Sequence, residues 1–151
     1  MALDALLAFL HFVLAFLIFG ALASEAVLLR QPLTARGMKL LSSVDAGYGM
    51  SAGLLIFVGV LRVFLGTKGA AYYNGEPFFW AKMIAFAIVG LVSIMPTIAF
   101  IQWRRALKTD ANFLPDSVAV QRVQRWITLE LVIFWFIPLF AVLMARGFGA
   151  H

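Results

Sequence analysis

The sequence predicts an all-α integral membrane protein, a four-helix bundle of up-down-up-down topology with both termini outside. Composition is the first reason. Hydrophobic residues make up 64% of the 151 residues and charged residues only 13%, and the mean hydropathy is +0.98. Soluble proteins are about one-quarter charged, and so small a globule cannot bury this apolar surplus. Lipid must solvate it, which excludes a soluble enzyme and a disordered chain.

Four apolar runs are the second reason, at about residues 5–29, 46–65, 79–103 and 126–145. A hydrocarbon core of about 30 Å takes about 20 helical residues to cross, so each run can span it once. The first run is not a signal peptide, because it carries Asp4 instead of a basic n-region and is too long for an h-region. With short connections, residues 1–151 are predicted to form a single membrane domain.

The basic residues predict the orientation, because Lys and Arg concentrate in cytoplasmic loops. They gather after the first helix, at Arg30, Arg36 and Lys39, and after the third, at Arg104, Arg105, Lys108, Arg122 and Arg125. Both loops are therefore predicted to be cytoplasmic in a multi-pass membrane protein. Topology accounts for the net charge of +5, so the predicted partner is the lipid bilayer and not nucleic acid.

Ionisable residues inside the predicted spans are candidate functional residues, because the membrane makes them costly. His11, Arg62 and Lys82 fall in the outer half, and Glu25 and Glu130 fall in the inner half. His11 and Glu25 are fourteen residues apart. That is nearly four helical turns, so both should share one face of the first helix. Small residues on this helix favour a face that points into the bundle.

Each of these residues also has a structural interpretation. Arg62 and Lys82 could extend to the outer headgroups, and Glu25 and Glu130 could pair with the flanking arginines, which we favour for the two glutamates. For the outer group, His11, Arg62 and Lys82, we favour a ligand-binding site over the structural interpretation. A neutral imidazole ligates metal ions and haem iron, and two nearby cations suit haem propionates or another dianion. His11 is thus a candidate metal and haem ligand, with Arg62 and Lys82 beside it.

The sequence leaves a second axial ligand open. Met83 and Met144 fall in the outer half, neutral Lys82 could ligate, and His151 is the other histidine, at the C-terminus. A five-coordinate iron and a haem shared between subunits are equally compatible with the pattern. Trp80 is predicted to lie in the interfacial aromatic belt and could also contact the cofactor.

Local signals predict where helices begin and break. Thr34 suits an N-cap of a short helix that runs on into the second span. Pro115 suits the first turn of a helix that extends the fourth span into the cytoplasm, and Pro138 interrupts that span. The outer connection, residues 66–77, contains glycines, Asn74 and Pro77 and is predicted to be a turn.

Two further patterns lie within the helices. Pro96 leaves the carbonyl group of Val92 without its helical donor, and Ser93 and Thr97 are placed to compensate. Gly49 and Gly53 form a GxxxG pair in the second span. Such a pair indicates a close-packing face, either for a neighbouring helix or for a homo-oligomer.

Four segments carry a family resemblance: His11, residues 45–53 (DAGYGMSAG), residues 79–82 (FWAK) and residues 93–97 (SIMPT). With them the chain resembles a bacterial family of predicted inner-membrane proteins of unknown function. More distantly it is similar to HemJ-type protoporphyrinogen IX oxidases and to copper-resistance-D-like membrane proteins. In the HemJ family a histidine of the first helix ligates haem b and a lysine at the start of the third is essential. The resemblance implies these roles for His11 and Lys82.

The resemblance implies a haem-b-binding membrane protein, with an oxidoreductase role on a porphyrinogen or quinol-like substrate and Lys82 as its catalytic residue. Trp80 or Ala81, and Ser93, stand where those oxidases carry further histidines, so haem binding is better supported than porphyrinogen oxidation. The alternatives are a small permease or metal-handling protein, with His11, Glu25 and Glu130 along a polar path, and a non-catalytic membrane subunit.

Overall fold

The computed structural model describes residues 2–66 and 69–148, and every regular element in that part of the chain is an α-helix. The helices are α1 (Ala2–Leu29), α2 (Ala35–Leu65), α3 (Gly69–Asn74), α4 (Pro77–Thr109), α5 (Ser117–Phe134) and α6 (Phe136–Ala145). Four segments are long and apolar enough to cross a membrane: α1, α2, α4 and the pair α5–α6. The predicted fold class is confirmed.

The four spans form a square bundle. Helix α1 packs against α2 and α5, and α4 packs against α2, α5 and α6, so α1 and α4 lie on opposite corners. Successive spans run in opposite directions, which places the connections 30–34 and 110–116 at one end. We call this the basic end, because the predicted cytoplasmic Lys and Arg residues lie there. We call the other the terminal end, because α1 begins and α6 ends there.

The spans extend further at the basic end than the apolar runs indicated. Helix α2 begins at Ala35, not near residue 46, and Thr34 caps it by accepting a hydrogen bond from the Gly37 N–H at 3.1 Å. Helix α5 begins at Ser117 with Asp116 as its N-cap, so Pro115 precedes the helix rather than occupying its first turn. Hydropathy marks only the part that lipid solvates, whereas helical hydrogen bonding continues into polar turns. The predicted N-cap at Thr34 and the predicted extension of both spans beyond the apolar runs are therefore confirmed, whereas the placement of Pro115 in the first turn of its helix is wrong.

The connection at the terminal end is not the simple turn predicted for residues 66–77. It contains the short helix α3, whose first residue, Gly69, has a φ of 71° that favours glycine. Tyr73 on α3 is buried and packs against Phe79 of α4 with ring centroids 5.2 Å apart. This aromatic contact between residues six apart in the chain ties α3 to the start of α4.

The two intrahelical prolines have different effects. The helix breaks at Trp135, between α5 and α6, as Pro138 predicts. Helix α4 continues through Pro96. Ser93 donates to the carbonyl group of Gly90 at 2.8 Å, and Thr97 donates to Asp45 on α2 at 2.7 Å. The prediction that Ser93 and Thr97 compensate the Val92 carbonyl group is therefore wrong, because both hydroxyl groups have other acceptors.

The core follows the predicted inward face of α1. Ile18, Leu22 and Glu25 are all buried, and Val89 of α4 and Ile127 of α5 pack in the same core. At the basic end, the Gln124 side-chain amide donates to the carbonyl group of Leu29 at 2.5 Å, which ties the end of α1 to α5.

The GxxxG pair does not take part in this core. Gly49 and Gly53 lie on an exposed face of α2, and a Cβ added to either would meet no described atom within 4 Å. The interpretation that they pack against a neighbouring helix of the same chain is wrong, because α2 turns this face away from the bundle. A homo-oligomer through this face stays a prediction.

Orientation is tested with reporter fusions. Because the basic end should stay inside the cell, a reporter that works only in the cytoplasm should be active when fused after Arg105. A reporter that works only outside the cytoplasm should be active when inserted near Asn74, at the terminal end. Paired reporters that work on opposite sides of the membrane give the measurement. The reverse pattern would invert the orientation.

Candidate functional site

A cavity of about 280 Å³ opens near the terminal end, and His11, Arg62 and Lys82 all line it. We call it the terminal cavity. Its remaining walls are mainly apolar and come from α2, α3, α4 and α6, including Leu55, Val63, Tyr73, Phe79, Phe86 and Ile137. The structure therefore brings together, from three different spans, the three ionisable residues that the sequence assigned to the outer half.

His11 reaches the cavity from α1 and lies against the backbone of α2. A Cβ added at Gly59 would lie 3.5 Å from His11 Cε1 and 3.8 Å from Nδ1, an ordinary contact distance. Glycine thus leaves open space beside the imidazole ring. The buried Nδ1 atom has no hydrogen-bond partner among the described residues. A buried polar atom of this kind calls for an explanation, such as a missing ligand or water.

Arg62 and Lys82 make the cavity electropositive. Their positive charges act on the His11 imidazole, and the charge of Arg62 acts on Lys82. The Lys82 ammonium group lies 5.1 Å from the centroid of the Phe79 ring, within the range of a cation–π interaction. The Nε atom of Arg62 is buried and has no hydrogen-bond partner in the described part of the chain. Like charges held this close favour an anion between them.

Of the other residues predicted to contact a cofactor, some line the terminal cavity and others do not. Met83 lines the terminal cavity, whereas Met144 and Trp80 are not among the residues around it. The Trp80 side chain is half exposed, and its indole N–H donates to the carbonyl group of Asn74 at 3.3 Å. This placement fits the belt role that the sequence predicted for it. His151 lies outside the described residues.

Sequence reasoning missed several cavity residues. Gly59 is one glycine among several in α2, and its position beside His11 depends on how α1 and α2 pair. Tyr73 reaches the cavity through α3, which was not predicted, and Ile137 through α6 beyond the helix break. The aromatic residues of this connection could have indicated that Tyr73 packs against the bundle. Nothing in the sequence marks Gly59 or Ile137.

A second polar group lies toward the basic end. Glu25 of α1, Asp45 of α2 and Glu130 of α5 are 1%, 8% and 0% exposed. Tyr48, Ser93 and Thr97 complete what we call the carboxyl layer, so all four spans contribute to it. The favoured ion pairs with flanking arginines are wrong for the buried Oε1 of Glu25 and both Oε atoms of Glu130, which have no described partner. The charges that act on Glu25 are those of Asp45 and Glu130.

Asp45 was missed because the apolar run starts one residue after it. Helical spacing could have identified Asp45 as an inward-facing residue, because one face of a helix recurs every three or four positions. The buried residues of α2 follow this spacing: Met38, Leu41, Ser42, Asp45, Tyr48, Ser51, Leu55 and Val58. Asp45 accepts the hydrogen bond from Thr97 on α4. The side chain therefore joins two spans from inside the bundle.

An apolar layer separates the terminal cavity from the carboxyl layer. It consists of Ile18, Leu55, Val89 and Phe134, one buried residue from each span. At 1.5 Å per helical residue, the fourteen residues from His11 to Glu25 correspond to about 21 Å along α1. In this conformation His11 is therefore separated from Glu25 and Glu130, the other two residues of the polar path predicted for a permease.

Comparison with known proteins shows the family of this chain. The model of a family described as predicted membrane protein, DUF2214, matches residues 3–149. No curated protein and no solved structure matches the chain. The match bears out the resemblance to a family of predicted membrane proteins, while the more distant likeness to HemJ-type oxidases rests on the sequence pattern alone. The chain is a multi-pass membrane protein and belongs to the DUF2214 family.

Proposed function

We propose that this protein binds haem b in the terminal cavity, in a bacterial inner membrane, with His11 as axial ligand and Arg62 and Lys82 beside the propionate groups. The observation that carries the proposal is that one imidazole and two cations from three spans line a single, mainly apolar cavity. These elements together suit haem b: a nitrogen ligand for the iron, apolar walls for the macrocycle and cations for its carboxylates.

The donor set fits haem, and the size of the cavity limits how much of it would be enclosed. Sites for ligands of drug size usually measure about 300–1,000 Å³, and the terminal cavity measures about 280 Å³. Its exposed lining residues Ile56, Val60 and Phe64 on α2 and Met83 on α4 border the lipid-facing surface. An apolar macrocycle would therefore be held partly by the bundle and partly by lipid, and it would enter from the bilayer.

Bound haem would supply one-electron chemistry, and the chain's residues would supply ligation, anchoring and solvent exclusion. Met83 and neutral Lys82 line the same cavity and are the further residues that could hold the iron. An oxidoreductase role on a porphyrinogen or quinol-like substrate, with Lys82 as the functional lysine, rests on the resemblance to HemJ-type oxidases and is a proposal by analogy.

Haem binding is tested by the visible absorption spectrum of the detergent-purified protein. We expect a Soret band that is lost in His11→Ala, because the substitution removes the axial nitrogen. His151→Ala, which changes the other histidine, should keep the band. A colourless wild-type protein with normal helical circular dichroism, or a band unchanged in His11→Ala, would contradict the proposal and favour a permease or a non-catalytic subunit.

Lys82 distinguishes a site residue from an interfacial anchor. Lys82→Arg should lower haem occupancy, because a planar, bulkier guanidinium group replaces a compact ammonium group. Lys82→Met should lower it further, since a hydrogen bond to a charged group contributes about 1.5–3 kcal/mol, equivalent to about tenfold or more in affinity. Haem per folded protein is the measurement.

The matched controls are Lys108→Arg and Lys108→Met, at an exposed position near the other end of the same helix. They should leave occupancy unchanged. Equal occupancy in all Lys82 variants, with the dependence on His11 intact, would make Lys82 an anchor at the membrane surface.

The space beside His11 gives an independent test. Gly59→Ala should keep haem, because the added Cβ makes only ordinary contacts with the imidazole ring. Gly59→Leu should lose it, because the larger side chain fills the cavity that Gly59 lines. Gly53→Leu is the control on the exposed face of α2. Haem titration of the three folded variants gives the comparison, and full binding by Gly59→Leu would place the ligand elsewhere.

A further inference from the structure

The carboxyl layer concentrates acidic groups where the membrane makes charge expensive. Glu25 and Glu130 are at most 1% exposed. Asp45 acts electrostatically on both of them, and Glu130 acts on Glu25. Three ionised carboxylates in this position would repel one another in a medium of low dielectric constant. Their negative charge therefore requires compensation from inside the layer.

The hydrogen bonds of the layer compensate only part of this charge. Asp45 accepts from Thr97 at 2.7 Å. The Tyr48 hydroxyl group faces Glu130 and Ser93, but neither Glu130 oxygen accepts a hydrogen bond of regular geometry from a described residue. The Oε1 atom of Glu25 is likewise without a partner in the described ranges. An unpartnered buried carboxylate is far more costly than a neutral carboxylic acid.

Cations are present only at the basic-end side of the layer. Arg104 donates to Ser42, one turn before Asp45, at 3.4 Å. Arg30 follows the end of α1 and Arg125 lies on α5, and all three arginine side chains are exposed. Nor does a metal ion fit, because no three carboxylate or imidazole side chains in the described part of the chain are grouped to hold one. The ligand that matches the layer is the proton.

A polar crevice lies near the basic end, beside the helix segments that carry the two glutamates. It has a volume of about 460 Å³ and lies between α1 and α5, lined by Ala26, Arg30, Gln121, Gln124, Arg125 and Thr128. Ala26 follows Glu25 in the chain, and Thr128 precedes Glu130 by two residues. Neither glutamate lines the crevice, but along α1 and α5 its wall lies within about one helical turn of both. On the other side, the apolar layer separates them from the terminal cavity.

We propose that Glu25, Asp45 and Glu130 form a proton-binding site that exchanges protons with water at the basic end through this crevice. Glu25 and Glu130 are held as neutral carboxylic acids, and Asp45 is the carboxylate that Thr97 stabilises. In the exchange step the carboxylic acid of Glu130 gives its proton to a water molecule in the crevice, leaving a carboxylate and a hydronium ion. The reverse step restores the acid. The site does not depend on haem in the terminal cavity.

Infrared spectroscopy of the full-length protein in detergent tests the site. A solvent-exposed glutamate has a pKa of about 4.3 and is ionised at pH 7, so a carbonyl band of a protonated carboxylic acid at that pH reports a held proton. We expect this band, and we expect Glu130→Gln and Glu25→Gln each to remove part of it. Glutamine has the shape of the neutral acid, so neither variant opens a cavity. Asp116→Asn, at an exposed position, should leave the band unchanged.

Exchange is tested by transfer into D₂O, which shifts the band as protons are replaced by deuterons. Ala26→Leu should slow this shift, because the added side chain fills the crevice wall beside Glu25. Absence of the band at pH 7 in the wild-type protein would overturn the proposal without any variant. A band of full strength in both glutamine variants would overturn it as well, and an unchanged exchange rate in Ala26→Leu would overturn the access route.

Discussion

Lipid cannot form hydrogen bonds, so every polar side chain within these spans must find its partners inside the bundle or at its ends. This constraint organises the structure. The ionisable residues of the helix interiors are not scattered over the lipid-facing surface. They collect at two levels, and residues of α1, α2 and α4 contribute to both. The exposed surface between them is apolar, with side chains such as Phe16, Phe57 and Leu91 directed outward.

The two levels differ in chemistry, and apolar side chains keep them apart. The terminal cavity combines Arg62 and Lys82 around an imidazole, and the carboxyl layer combines Glu25, Asp45 and Glu130. If the groups were adjacent they would neutralise each other as buried ion pairs, which contribute little net stability and bind nothing. The apolar layer prevents this. It leaves a cavity with two cations that is bordered by lipid-facing residues and, toward the basic end, a group of buried carboxyl groups.

The sequence predicted that His11, Arg62 and Lys82 lie together, because such residues are rare in an apolar chain. A histidine and two cations at matching depth predicted a shared location, and the structure places all three on one cavity. The carboxyl layer was predicted less well. Glu25 and Glu130 were recognised, but their proximity to arginines along the chain suggested ion pairs. The side chains turn inward instead, where the helices bring Asp45 and Tyr48 beside them.

The sequence by itself determined that lipid solvates the helices, how many spans there are, that the fourth span breaks near Pro138 and which loops carry the basic residues. These follow from composition and local chemistry, which act over a few residues. Tertiary structure decided which helices are neighbours. It therefore decided that Gly59 leaves space at His11, that Thr97 bonds to Asp45 and that Tyr73 closes one wall of the cavity. These contacts join residues far apart in the chain, and only the packing of spans in three dimensions brings them together.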